Sequence, residues 1–303
     1  MLRQRTASPF REAETAGLAL LEDLRAARWQ RGLSLIAGLS SGMSGLEVAY
    51  QHYRGSYGQR IMYTPVILSQ ALLIAGVWGS IKPRVARTVL PVVAGITLAD
   101  CAIGFGFHLR GIHRKPGGWR LPVTNVVMGP PPLAPLLFGM SAYMGLVASR
   151  MQPEAGGRRR PRVTAVGHPA RMQKHLALIT ALSAVCSGVE ALYSHYKNNF
   201  KYKAQWTPVV IAPLLAGAGF ATVAGPRVAG SRLTKTLLPA ASVLAIADGA
   251  AGVFYHARGI ARRPGGTKHL LYNTMYGPPI LAPLLFAACG FLGLMASIMG
   301  RKH

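Results

Sequence analysis

Hydrophobic residues are gathered in eight long runs, at about 33–52, 64–81, 89–108, 131–149, 175–195, 207–224, 236–256 and 278–299. None carries a polar stripe recurring every three to four residues, the mark of a helix with one wet face. A membrane-spanning helix needs about 17–25 mostly apolar residues, so each run predicts a span. The runs starting at Thr64 and Thr207 are the shortest, and such helices must stand upright or thin the bilayer. Helix starts are also marked. Thr64-Pro65 and Thr207-Pro208 read as an N-cap followed by a first-turn proline. Gly129-Pro130-Pro131 and Gly277-Pro278-Pro279 read as openings of the fourth and eighth helices. Proline is tolerated there because first-turn amides lack intrahelical partners anyway.

The pattern is written twice. Glu47, Tyr50, His52 and Tyr53 recur 143 positions later as Glu190, Tyr193, His195 and Tyr196. Asp100, Gly104, His108, Arg110 and Gly111 recur 148 positions later as Asp248, Gly252, His256, Arg258 and Gly259. The five-residue difference falls around 230–234. Four helices per copy return the chain to the side from which it started, so the two copies share one orientation. The expected fold is an all-α integral membrane protein of eight transmembrane helices. They form two tandem parallel four-helix repeats with pseudo-twofold symmetry along the membrane normal. The expected divisions are an amphipathic N-terminal segment at 1–30, repeat one at 31–150, a basic linker at 151–173 and repeat two at 174–303.

Charge refines this picture. Charged residues make up 14% of the chain, below the roughly 25% of soluble domains. The net charge is +25, yet no nucleic-acid-binding motif accompanies it and the basic residues cluster at span ends. Nucleic acid is therefore excluded as a partner, and the lipid bilayer is expected, with other membrane subunits as further candidates. The termini, the linker and the loops near Lys82 and Arg227 hold 21 Lys and Arg, against 13 in the other loops. That excess predicts an inner (cytoplasmic) membrane protein with both termini cytoplasmic. The first thirty residues do not read as a signal peptide, because their apolar run at 16–21 is short and is followed by Glu22 and Asp23.

Candidate chemistry follows from the acids. Of nine Asp and Glu, five lie in the N-terminal segment or the linker. The other four are Glu47, Glu190, Asp100 and Asp248, all in matched positions. A carboxylate inside a bilayer costs at least a few kcal/mol unless it is paired. With His52, His108, His195 and His256 they make a candidate metal or haem site in each repeat, near the outer face. Transition metal or haem b is the cofactor such groups suit. One angle weighs against a shared site: Glu47 and His52 point about 140° apart on an intact helix, so they converge only if its end unwinds. Gly104 and Gly252 are candidates for close approach of a helix or a flat ligand. Arg110, Arg114 and Asn125, with Arg258, Arg262 and Asn273, make a candidate anion site beside the Gly-Pro-Pro helix starts. Cys101, Cys186 and Cys289 are not matched between the copies and read as packing residues.

The first functional expectation is a metal- or haem-binding redox subunit. A proton-coupled transporter of a small anionic solute is the alternative, and a structural subunit held by buried polar networks is the third. Whether the protein is an enzyme is left open by the sequence.

Overall fold

The computed structural model describes residues 9–151, 169–225 and 231–300. Most of the basic linker and part of the five-residue insertion lie outside the described residues. Every regular element among those described is helical. In chain order they are α1 (Pro9–Arg54), α2 (Thr64–Ile81), α3 (Pro83–His113), α4 (Pro122–Val127), α5 (Ala134–Ser149), α6 (Pro169–Lys197), α7 (Thr207–Ala224), α8 (Ser231–Ala261), α9 (Leu270–Tyr276) and α10 (Leu281–Gly300). Short 3-10 turns precede α2, α4, α7 and α9.

Six helical stretches among these residues are long and apolar enough to cross a membrane: Arg60–Ile81, Pro83–His113, Arg171–Lys197, Lys203–Ala224, Lys235–Ala261 and Leu281–Met299. Their outward surfaces are apolar. Ile67 is 65% exposed, Val92 60% and Ile96 54%, on helices whose other faces are packed. Water would penalise such a surface, whereas lipid chains match it. This is a membrane protein by the character of its helices.

The helices form two bundles. In the first, α1 packs on α2 and α5, and α3 packs on α2 and α5. In the second, α6 packs on α7 and α10, and α8 packs on α7 and α10. The bundles meet along a seam where α5 and α4 lie on α6, and α1 reaches α10. Tyr143 Oη and His175 Nδ1, 2.8 Å apart, join α5 to α6 across it.

Small residues let the backbones come close. A Cβ placed on Gly76 would lie 2.6 Å from the Ser34 carbonyl oxygen and 2.7 Å from Gly38 backbone. One on Gly219 would lie 2.8 Å from the Ala177 carbonyl. No larger residue fits without moving α2 from α1 or α7 from α6, the usual logic of helix pairs in lipid. Around these contacts lies a core of Leu33, Leu72, Leu90, Leu176, Leu215 and Leu238, all fully buried.

Several boundaries differ from expectation. The segment expected to be a separate amphipathic helix runs unbroken into the first apolar stretch, making α1 46 residues long. α3 begins at Pro83, six residues before its apolar run, because proline is well placed in a first turn and Arg84 and Arg87 can extend into the polar layer. Pro130 and Pro131 stay outside α5, which starts at Ala134 and has 16 residues, and the short α4 fills the space before it. A proline disfavours helical geometry at the residue before it, so consecutive prolines push the helix start downstream. Thr64 is not an N-cap. Tyr63 holds that position without a side-chain bond, and Thr64 is the first helical residue.

Candidate functional site

The four matched histidines sit at one end of the two bundles, which we call the histidine end. His52 closes α1, and its Nδ1 lies 2.7 Å from the Met62 carbonyl oxygen in the turn before α2. His195 makes the same bond to Gln205, also at 2.7 Å. His108 Nδ1 is 2.5 Å from the Pro131 carbonyl, and His256 Nδ1 is 2.7 Å from that of Pro279. A carbonyl oxygen only accepts, so Nδ1 carries the proton in all four rings. In the neutral ring, Nε2 then presents its lone pair. No protein hydrogen bond to any of these Nε2 atoms is made among the described residues. Within each bundle the two rings are near enough for their charges to interact, His52 with His108 and His195 with His256.

Each α1- or α6-terminal histidine rests against an aromatic pair. Tyr57 stacks on Tyr63 with ring centroids 4.2 Å apart, and its edge meets His52 at 6.0 Å. Phe200 stacks on Trp206 at 3.9 Å and meets His195 at 6.1 Å. These pairs hold left-handed turns. Ser56 and Tyr57 have φ of 59° and 46°, and Asn199 and Phe200 have 51° and 46°. A non-glycine residue there costs about 1 kcal/mol or more, which the stacking offsets. Sequence reading missed both pairs, because aromatic character is kept while identity changes.

The aspartates stand lower in the same bundles and are tied to helix starts. Thr64 Oγ1 lies 2.6 Å from Asp100 Oδ1, and it also donates to the Ile61 carbonyl. Thr207 likewise donates to Asp248 and to the Ala204 carbonyl. The threonines read as caps therefore anchor α3 to α2 and α8 to α7. Asp248 and His195 also interact electrostatically.

The glutamates belong elsewhere. Helix α1 stays intact through Arg54, so Glu47 and His52 do not converge. Glu47 instead faces the seam, close enough to Glu190 for their charges to interact. Tyr50 Oη donates to Glu47 Oε1, and Gln51 Nε2 lies 3.1 Å from the same oxygen. Glu47 Oε2 and Glu190 Oε1 are buried with no partner. Above them are Arg54, Lys115 and Lys197; Lys197 interacts electrostatically with the other two, and Arg54 also with Glu47. The Arg54 guanidinium lies 5.6 Å from the Tyr276 ring centroid, and Lys197 Nζ lies 5.5 Å from that of Tyr193.

The expected anion loop is assembled differently. Asn125 and Asn273 are buried, and each side-chain amide staples its own loop. Asn125 Nδ2 donates to the Pro116 and Gly118 carbonyls at 3.1 and 2.7 Å. Asn273 Nδ2 donates to those of Pro264 and Gly266 at 3.2 and 3.0 Å. The loops depend on left-handed glycines, with φ of 79° at both Gly117 and Gly265. Arg110, Arg114, Arg258 and Arg262 are exposed. Gly104 and Gly252 lie beneath Pro135 and Pro283, where an added Cβ would come within 3.5 and 2.8 Å of proline Cβ. A helix, not a flat ligand, fills that approach. The three cysteines are buried thiols.

Among the described residues, no three of His, Cys, Asp and Glu stand together closely enough to hold a metal ion. The eight matched acids and histidines divide into a histidine pair and a threonine-bound aspartate in each bundle, plus one glutamate pair at the seam. Comparison with protein-family models, curated proteins and solved structures gave no match.

Proposed function

We propose that the protein is an integral membrane subunit in which each half holds a haem, or a metal with an added ligand, between its two histidines. The observation that carries this is the Nδ1 bond to a backbone carbonyl, made by all four rings. Histidines that ligate metal nearly always have their other ring nitrogen fixed in this way, which sets the tautomer and aims Nε2. Haem suits the arrangement better than a bare ion. Its porphyrin supplies four nitrogens, so two protein ligands complete the iron, while no third donor accompanies either histidine pair. In this reading the duplicated sequence forms two tandem four-helix units of eight spans in all, with α1 and α5 completing the six long apolar helices. Both termini and the basic linker lie in the cytoplasm, and the histidine end faces outward.

Absorption and elemental analysis of the detergent-purified protein test the reading. A Soret band or bound metal is expected, with about half lost in His52→Ala/His108→Ala and about half in His195→Ala/His256→Ala. A folded, colourless and metal-free protein from native membranes overturns it.

A second reading, a proton-coupled transporter of a small anionic solute, draws on different residues. The buried Glu47–Glu190 pair beneath three cations favours it, since intramembrane carboxylates serve as ion and proton relays. Solute uptake by proteoliposomes, lost in Glu190→Gln, is its test.

A further inference from the structure

The seam between the bundles has a vertical order of charge. Glu47 and Arg54 are seven residues apart on α1, and Glu190 and Lys197 are seven apart on α6. Seven residues advance a helix by about 10.5 Å and return it to within about 20° of the same direction. Each helix therefore presents an acid at depth and a cation two turns above it, on one face. Lys115, from the loop after α3, joins the upper layer.

The two layers have complementary deficits. The lower layer lacks donors: Glu47 Oε2 and Glu190 Oε1 are buried acceptors without a partner. Leaving such acceptors unmade is costly, and more so for a charged group. The upper layer has more positive charge than the acids below reach: Lys197 feels both Lys115 and Arg54, only Arg54 of the three also feels Glu47, and Lys197 and Arg54 otherwise meet the aromatic faces of Tyr193 and Tyr276. On the other side of the seam Arg263, which corresponds in sequence to Lys115, has a buried Nε without a partner. Its Cδ lies under Gly277, next to the Tyr276 on which Arg54 rests. Arg54 attracts Glu47 across the two layers, but none of these cations hydrogen-bonds the carboxylate oxygens that lack donors.

A simple anion would serve the upper layer alone, and a simple amine the lower layer alone. We infer that the seam binds a small zwitterion, with a primary ammonium seated between Glu47 and Glu190 and a phosphate among Arg54, Lys115 and Lys197. An ammonium has three N–H donors, enough for both orphan oxygens, and a quaternary amine has none. Phosphate fits the upper layer because its charge and several oxygens can engage three cations at once. Phosphoethanolamine carries this chemistry as a free solute, and the headgroup of an ethanolamine phospholipid carries it as lipid. The inference concerns binding only and does not depend on the histidine pairs.

Titration calorimetry of the full chain in detergent with phosphoethanolamine tests it. Saturable binding is expected, weakened about tenfold or more by Glu190→Gln and by Lys197→Gln, the effect of removing one charge-assisted contact. Inorganic phosphate and ethanolamine, each added alone, should bind far more weakly. Native mass spectrometry supplies the second arm. An ethanolamine phospholipid retained by the wild type and lost in Glu190→Gln also supports the inference, with lipid as the source. Where Glu190→Gln fails to fold, Arg54→Gln at the upper edge takes its place. Absence of both signals, or equal binding of inorganic phosphate that ignores Glu190→Gln, overturns it.

Discussion

Glu47 and Glu190 hold corresponding positions in the two halves but keep different company. Glu47 accepts from Tyr50 and Gln51, so one of its oxygens is satisfied within its own helix. Glu190 has Ser194 where Gln51 stands, and Tyr193 in place of Tyr50 turns no hydroxyl toward it. At the histidine end, by contrast, the bonds of the histidines and aspartates agree between the halves. Each histidine finds a backbone carbonyl and each aspartate finds a threonine. Where a polar group fastens one helix to the next, both halves keep the same answer. Where it faces the seam, they diverge, because there the two halves contact each other and need not be alike.

That contrast can be broken at its widest point. Glu190→Gln should raise thermal stability in detergent without added ligand, by up to about 1 kcal/mol, because it removes the ionisable group from a buried position that has no donor. Glu47→Gln should gain less, since it also weakens the bonds from Tyr50 and Gln51. Thermal melts of the two variants check this, and equal shifts would erase the proposed inequivalence. The fastened layer should respond in the opposite direction. Asp100→Ala and Asp248→Ala should each lose about 1 kcal/mol by breaking the tie between neighbouring helices, with similar losses in both halves, since each threonine keeps its backbone carbonyl. Asp100→Asn should lose under about 1 kcal/mol, because the amide oxygen still accepts from Thr64. Chemical denaturation in detergent distinguishes the three.

The smallest test exchanges the aromatic pairs. Tyr57 Oη donates to the Ala49 carbonyl at 3.0 Å, a bond that Phe200 cannot make. Tyr57→Phe should therefore cost about 1 kcal/mol, and Phe200→Tyr should recover part of the same bond in the second half. A Phe200→Tyr melt below that of the wild type would mean the second turn has no room for the hydroxyl.

Much of the architecture was readable from hydropathy, because lipid-facing helices show their whole surface in the sequence. The apolar runs locate α2, α3, α6, α7, α8 and α10, with ends that differ by six residues at most. The forward reach of α3 to Pro83 was not visible, since Arg84 and Arg87 end an apolar run without ending a helix. The grouping of the acids was half visible. The angle between Glu47 and His52 already argued against a shared site, and the intact end of α1 bears that argument out. The seven-residue spacing from Glu47 to Arg54 was equally present in the sequence. It acquires meaning only once α1 and α6 are known to bring their acids together, which is a fact of packing between halves. Thr64 misled for a related reason: a threonine before a proline has the chemistry of a cap, and only the nearness of Asp100 shows where its hydroxyl goes.

Helix α1 runs unbroken from Pro9 to Arg54, which at 1.5 Å per residue is about 69 Å. The hydrocarbon layer of a membrane is about 30 Å thick, so the rod is more than twice as long as that layer is deep. A rigid rod transmits torque. A turn applied at its far end would swing the Glu47 carboxylate around the same axis, toward Glu190 or away from it. The first helix is in that sense a driveshaft, with its working tooth at the seam.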